Sequence, residues 1–345
     1  MPILRTFARA ALVLVVVSGV TIGVGGQYLS PNNVFLYMSG KDGNSDLFLT
    51  DVHVGLEYNL TQSEDYETTP IWSPDGNSVA FLLVDVPVGD SRDLYAMDFN
   101  GANLRPITHQ QIIEREPKPA WSPNGLWIAY LVRDSTGTTL NVVTVDTNER
   151  SIVLPNVSYF AWQPQSNKLT VIRQGSLIEN VDVRTDERQI LSSSEARKML
   201  LSWSPDGQKL SFFVINRGYR LNVIDADGTL LNESSHLGMP CGDTLSWSPD
   251  GQELLFALFT NELRNGSGCD LYIMNLSTGN NLRLTQFEIN YYAQEPAWSP
   301  DGDQIVFEGW GPGATNEIYL INADGSDLRQ LTENRAYDES AVWRP

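Results

Sequence analysis

Seven stretches of the chain run into a tryptophan, and the residues just ahead of those tryptophans are the ones whose chemistry could be used. Tyr66 and Glu67 precede Trp72, Glu114-Arg115-Glu116 precedes Trp121, and Asp243 precedes Trp247. Tyr291-Tyr292 with Glu295 precedes Trp298, and Tyr337-Asp338-Glu339 precedes Trp343. Tyr66, Tyr292 and Tyr337 each stand six residues before their tryptophan, and Arg197-Lys198 interrupts the acidic series ahead of Trp203. Tyrosine offers contact area with a polar tip, and carboxylates attract basic groups. Gathered on one face, the set is expected to bind a protein or peptide, with basic partners favoured. The same carboxylates leave a second reading open. Glu67, Glu116, Glu295 or Glu339 could supply an acid and a base acting on glycans or peptides, which for glycoside cleavage requires carboxyls roughly 5–9.5 Å apart. The plainest reading is a set of solvated loops in a chain that is acidic throughout.

Other chemistry has little support. The histidines are His53, His109 and His236, each at a strand end or in a loop without an evident orienting partner for general-base work. There is no His-Glu-x-x-His and no Cys-x-x-Cys, so no zinc site is expected. Asp42-Gly43-Asn44-Ser45-Asp46 has the alternating oxygens of a calcium loop, but Leu47 follows where glycine is needed, and His53 stands in place of the bidentate glutamate. It is read as a hairpin turn. No cofactor or metal is expected. Asn59, Asn156, Asn232, Asn265 and Asn275 open Asn-x-Ser/Thr triplets that carry meaning only in a eukaryotic secretory route. The net charge of -19 repels nucleic acid and anionic membrane surfaces.

What must position these residues is a repeat. Trp72-Ser73-Pro74-Asp75-Gly76 recurs at Trp121, Trp203, Trp247 and Trp298, with Asn124 for aspartate in the second copy. Degenerate copies begin at Trp162 and Trp343. Successive tryptophans are 49, 41, 41, 44, 51 and 45 residues apart, the period of a four-stranded propeller blade. Pro-Asp-Gly is a tight turn, and seven residues after each of the first six tryptophans an apolar run begins: Val79, Ile128, Leu169, Leu210, Leu254 and Ile305. A third strand follows, as in Asp93-Leu94-Tyr95-Ala96-Met97, and a short fourth one closes the unit, as in Leu328-Arg329-Gln330-Leu331-Thr332. Pro106 inside one fourth strand suits an edge, where no ladder donor is needed.

The ends complete each other. Val34–Met38, Asp46–Thr50 and Tyr58–Thr61 match second, third and fourth strands without a tryptophan strand before them, while Ala341-Val342-Trp343 is a first strand with nothing after it. The expected fold is all-β: a seven-bladed β-propeller of four-stranded antiparallel blades, closed by N- and C-terminal strands in one shared blade.

The Trp-Ser-Pro-Asp-Gly hairpin, the Leu-Tyr strand and the Leu-Thr close resemble the TolB-type WD-like β-propeller family over about residues 32–345. TolB proper carries an α/β domain before a six-bladed propeller, whereas only a short segment precedes the first strand here, so the resemblance implies a stand-alone propeller. Related propellers stand in front of peptidase domains, but no Gly-x-Ser-x-Gly is present. Oligogalacturonate lyase, another relative, holds its metal through several histidines, which this chain does not supply. The resemblance therefore implies a fold, and one propeller hosts many activities.

The N-terminal residues 1–30 are expected to lie outside the propeller, which takes 31–345. Arg5 and Arg9 flank an uncharged run from Ala10 to Gly26, whose length fits either a cleaved signal peptide or a retained membrane anchor. Both readings place the bulk outside the cytoplasm, in the periplasm, at the cell surface or secreted, as a monomer touching membrane only through that segment. Export would allow Cys241 and Cys269 to pair, and two unrelated small residues is the other reading.

Overall fold

A computed structural model of the chain describes residues 14–16, 21–24, 27–28, 33–52, 55–84, 91–109, 111–135, 137–234, 237–260, 268–287, 290–311 and 313–345. Among the described residues the chain is all-β, with no helix, and so none long and apolar enough to cross a membrane. Leu14–Val16, Thr21–Val24 and Gln27–Tyr28 form a small separate sheet.

The rest is a succession of four-stranded antiparallel units of the propeller type, two of them joined into one eight-stranded sheet by a parallel contact of Cys269 with Tyr292. The first runs Tyr66–Trp72, Ser78–Val84, Arg92–Asp98 and Arg105–Pro106, each strand pairing with the next. The same order repeats from Ala120–Trp121, Val157–Trp162, Arg197–Trp203, Pro240–Trp247 and Tyr292–Trp298. Asp338–Trp343 pairs antiparallel with Val34–Ser39, setting Trp343 opposite Phe35, and Asp46–Asp51 and Glu57–Asn59 complete that sheet.

Second strands are buried on both faces because neighbouring sheets cover them, so they read as continuous apolar runs. Val79, Ala80, Phe81 and Leu82 are all fully buried, as are Ile305, Val306 and Phe307. The tryptophans link one sheet to the one before it. The Trp72 indole Nε1 donates to Val342 O at 3.2 Å, that of Trp247 to Ser202 O at 3.0 Å, and that of Trp343 to Ala297 O at 3.1 Å. Each acceptor is the residue just before the preceding sheet's tryptophan, as it is for Trp162, whereas Trp203 donates to Thr170 Oγ1 and the Nε1 groups of Trp121 and Trp298 are buried without a partner.

The remaining motif residues are internal fasteners. Ser73 Oγ donates to Asp75 Oδ1 at 2.6 Å and accepts from Ser78 N at 2.9 Å, and the same hook recurs at Ser204/Asp206, Ser248/Asp250 and Ser299/Asp301. Those serine bonds hold Asp75, Asp206 and Asp250 below the usual carboxylate range. The Leu-Thr close is a clasp. Thr285 Oγ1 donates to Asp270 Oδ1 at 2.7 Å and accepts from Leu271 N at 2.9 Å. Thr61/Asp46, Thr108/Asp93 and Thr332/Glu317 repeat it. It satisfies a backbone donor near the start of the third strand, at Leu47, Leu94, Leu271 and Ile318.

Candidate functional site

The first strands do not run straight to their tryptophans. Register shifts fall between Thr68 and Ile71, Met199 and Ser202, Gln294 and Ala297, and Glu339 and Val342. Within each shift one residue takes a left-handed backbone: Thr69 (φ 55°), Leu200 (φ 58°), Glu295 (φ 49°) and Ser340 (φ 59°). None is glycine, and each costs about 1–2 kcal/mol against a regular strand. Every one stands three residues before its tryptophan. Bulges re-aim side chains, and they concentrate where side chains are used.

The same column, three residues before the tryptophan, holds Lys118, Tyr159 and Thr244 in the other sheets, and there the charges meet. Lys118 Nζ lies 3.1 Å from Glu295 Oε2, with both side chains largely covered, 21% and 15% exposed. Thr244 Oγ1 donates to Glu295 Oε2 at 3.0 Å, and Asp243 N donates to Oε1 at 3.4 Å. Tyr159 OH donates to Asp243 Oδ1 at 3.1 Å. Glu308, reaching in from a second strand, accepts from Ser340 N at 2.5 Å and is 6% exposed. Glu116, Lys118, Asp243 and Glu295 line one cavity of about 690 Å³ that continues past Trp247, Trp298 and Trp343.

One lysine cannot neutralise that many carboxylates. Burial opposes the charge on Lys118, but Glu295, Glu116 and Glu308 outweigh it and raise its pKa. Burial also works against ionised Glu295, yet Lys118 and its hydrogen bonds hold the carboxyl below the usual range. The others are pushed the opposite way. Burial, then the charge of Glu295, raises Glu308 to about 8. Enclosure raises Glu116, with Glu295 and Asp243 adding to it and Lys118 opposing, although the residue faces open water at the mouth. Burial and Glu295 raise Asp243 too, against the bond from Tyr159. The cluster is therefore short of positive charge, and a cation entering it would displace protons.

Beside it lies a groove of about 760 Å³, with Tyr66 and Tyr337 exposed at 45% and 62%. Glu67, fully buried in its wall, accepts from Ser63 Oγ and from Thr61 Oγ1 at 3.2 Å, and burial raises it to about 8. Glu339 accepts from Arg115 Nη2 at 3.3 Å and from Asn316 Nδ2 at 3.1 Å.

The expected residues thus separate into two places. Glu116, Asp243 and Glu295 come together in the cavity, while Tyr66, Glu67, Tyr337 and Glu339 line the groove. Tyr292 joins neither, because its ring stacks on Trp310 at 5.0 Å. The three tyrosines expected on one surface are therefore two and one. Asp338 is fully buried, with one oxygen accepting from Asn334 Nδ2 at 2.7 Å and Oδ1 without a partner. Lys198 is also buried, and its ammonium caps the carbonyls of Ser176, Ser194 and Ala196. In the turn that mimics a calcium loop, Asn44 donates to Ser63 O and Asp65 O, and Asp46 accepts from Thr61, Ser63 N and Asn59. Among the described residues no group of three or more His, Cys, Asp or Glu is placed to hold a metal ion. His53 and His236 lie outside the described residues, and His109 is exposed. Cys241 and Cys269 are joined as a disulfide between the first and third strands of one sheet.

Sequence reasoning missed Lys118, Tyr159, Thr244 and Glu308. Aligning the copies on tryptophan would have shown the first three in the column of Glu295; the column six residues before the tryptophan drew attention because its tyrosines are conspicuous.

No curated protein matches the chain by sequence. Among solved structures, an oligogalacturonate lyase in complex with manganese superposes with a TM-score of 0.66 at 14% identity, covering 84% of this chain and 85% of that one. Oligogalacturonate lyase from Vibrio parahaemolyticus gives 0.65 at 14%, covering 84% and 86%. TolB from Acinetobacter baumannii gives 0.52 at 16%, covering 91% and 83%. At such identities the likeness speaks for the fold. The family model of the TolB beta propeller domain matches residues 213–345. Over that span the sequence is similar to the TolB beta propeller domain, the resemblance carried by the repeated Trp-Ser-Pro-Asp-Gly hairpins.

Proposed function

We propose that the chain is an exported, non-catalytic seven-bladed propeller, its ring closed by the sheet its two ends share, that binds a protein or peptide by taking a basic side chain into the axial cavity. The observation that carries this is the imbalance around Lys118: Glu116, Glu295 and Glu308 all act on one largely covered lysine, Asp243 is crowded in turn by Glu295, and of these carboxylates Arg115 adds its charge only at Glu116. A lysine or arginine side chain from a partner would find Asp243, Glu295 and Glu308 already covered and held by hydrogen bonds, with Glu116 exposed beside them, so little ordering of those three is left to pay for on binding. The Cys241–Cys269 disulfide and the apolar run from Ala10 to Gly26 support export. N-terminal sequencing of the exported protein distinguishes a cleaved segment from a retained anchor.

The test is titration calorimetry with a short lysine- and arginine-bearing peptide against wild type and Glu116→Gln/Asp243→Asn. Binding weakened about tenfold or more in the variant, with proton release on binding to wild type, supports the reading. Equal binding by both proteins ends it.

A second reading, an enzyme or sugar-binding protein acting on glycans or peptides, draws on the likeness to the oligogalacturonate lyases and on Glu116 and Glu295 sharing one cavity. Turnover of any glycan or peptide that Glu116→Gln or Glu295→Gln abolishes would favour it.

A further inference from the structure

The groove beside the cavity has the opposite electrostatic character. The chain carries 42 acidic and 23 basic side chains, yet Lys41, Arg92, Arg115 and Arg335 all line this one groove. Two of the four are already engaged. Lys41 pairs with Glu57 and lies over the Phe48 ring at 3.9 Å, and Arg92 Nη1 donates to Ile113 O at 3.2 Å. The other two side chains are exposed, although Arg115 also pairs with Glu339. Arg115 is 45% exposed, and its only ion-pair partner among the described residues is Glu339. Arg335 is exposed, with no ion pair among the described residues. Of the two carboxyls in the lining, Glu339 is paired with Arg115 and accepts from Asn316, and Glu67 is fully buried against Ser63 and Thr61, where burial pushes its carboxyl up to about 8. The groove is a cationic furrow in a strongly anionic protein.

Its walls are not purely ionic. Met38, Val84 and the rings of Tyr66 and Tyr337 give it apolar and aromatic surface between the cations. The space, about 760 Å³, suits a short segment rather than a lone ion. A long polyanion would be repelled by the net charge of -19 over everything outside the furrow. A ligand with few negative charges and apolar side chains between them meets no such penalty.

We infer that the groove between Tyr66 and Tyr337 binds an acidic peptide segment, its carboxylates met by Arg115 and Arg335 and its apolar side chains by the two tyrosines. The guanidinium groups are suited to this because they bind carboxylates two-pronged and stack on rings. The inference does not rest on the axial cavity, since it uses a different set of side chains of opposite charge.

The experiment is fluorescence anisotropy on the full chain with a labelled hexapeptide alternating Asp or Glu with Leu or Tyr. Three competitors are used: the same peptide with Asn and Gln for its acids, a lysine peptide of equal length, and a hexameric uronate. Arg115→Glu/Arg335→Glu is the site variant, and Tyr66→Ser/Tyr337→Ser tests the apolar contribution. All four positions are exposed, and thermal melts check that the variants stay folded. The expected result is that the acidic peptide binds, its amide version competes at least tenfold more weakly, the arginine variant loses at least tenfold, and added salt weakens binding. The inference is overturned if the amide peptide competes equally, if the arginine variant binds unchanged, or if the uronate displaces the peptide at lower concentration. Failure here with retained basic-peptide binding would leave the axial reading standing, and the converse outcome would do the reverse.

Discussion

Lys118 and Glu295, far apart in sequence, meet at 3.1 Å inside one cavity, each three residues before a tryptophan of its own sheet. The pair is covered enough that neither charge is well hydrated, and neither can be removed without exposing the other to that deficit.

Lys118→Met should therefore destabilise the protein by about 2–4 kcal/mol, because it leaves Glu295 charged, enclosed and unpaired among Glu116, Asp243 and Glu308. Adding Glu295→Gln should recover more than half of the loss. Urea denaturation of the single and double variants measures both, and a single variant as stable as wild type would contradict the assigned geometry.

Stability should fall as pH rises from about 4.5 to 8. Glu308 and Glu67 hold their protons to about 8 in the folded chain, against 4.5 when unfolded, so the native state binds more protons across that window. Their contribution is complete below the unfolded value and is lost as pH passes the folded one, at no more than about 1.4 kcal/mol per pH unit for each group. Glu308→Gln should flatten the decline. Denaturation midpoints for wild type and variant at pH 5 and pH 8.5 check it, and parallel losses would be the wrong result.

Trp203→Ala should cost about 3–5 kcal/mol, combining the lost indole with a cavity between two sheets. Trp203 is 7% exposed and its Nε1 donates to Thr170 Oγ1 at 2.8 Å. Thermal or urea melts suffice, and a loss under about 1 kcal/mol would be incompatible with that packing.

Thr285→Val keeps shape but removes the hydroxyl from the clasp with Asp270 and Leu271 N. A loss of about 1–3 kcal/mol is expected, since two buried polar groups lose a partner. Hydrogen exchange should show the amide of Leu271 losing protection ahead of the second strand.

Replacing Cys241 and Cys269 together by alanine should cost about 3–4 kcal/mol from the freed 28-residue separation. Cys241 directly precedes Gly242 and Asp243, so binding of a basic peptide at the axial cavity should weaken with it. Calorimetry on the reduced and oxidised protein separates that effect from stability.

The sequence by itself determined the repeat. Tryptophan, turn and apolar run recur at fixed offsets because every sheet has to solve the same packing problem against its neighbour, and a repeated local solution is written locally. It also paired the ends, since Val34–Met38 lacked a first strand and Trp343 lacked a second, and Trp343 lies opposite Phe35. The serine-aspartate hook and the threonine clasp were visible as residues but not as bonds, because their partners are set by strand register. The site was decided only in three dimensions. Tyr66, Tyr292 and Tyr337 hold one position in the motif, yet Tyr292 turns to Trp310 while the other two edge a groove. Which carboxylate faces Lys118 depends on bulges that shift the first strands, and no single strand contains the information about what another sheet sets against it.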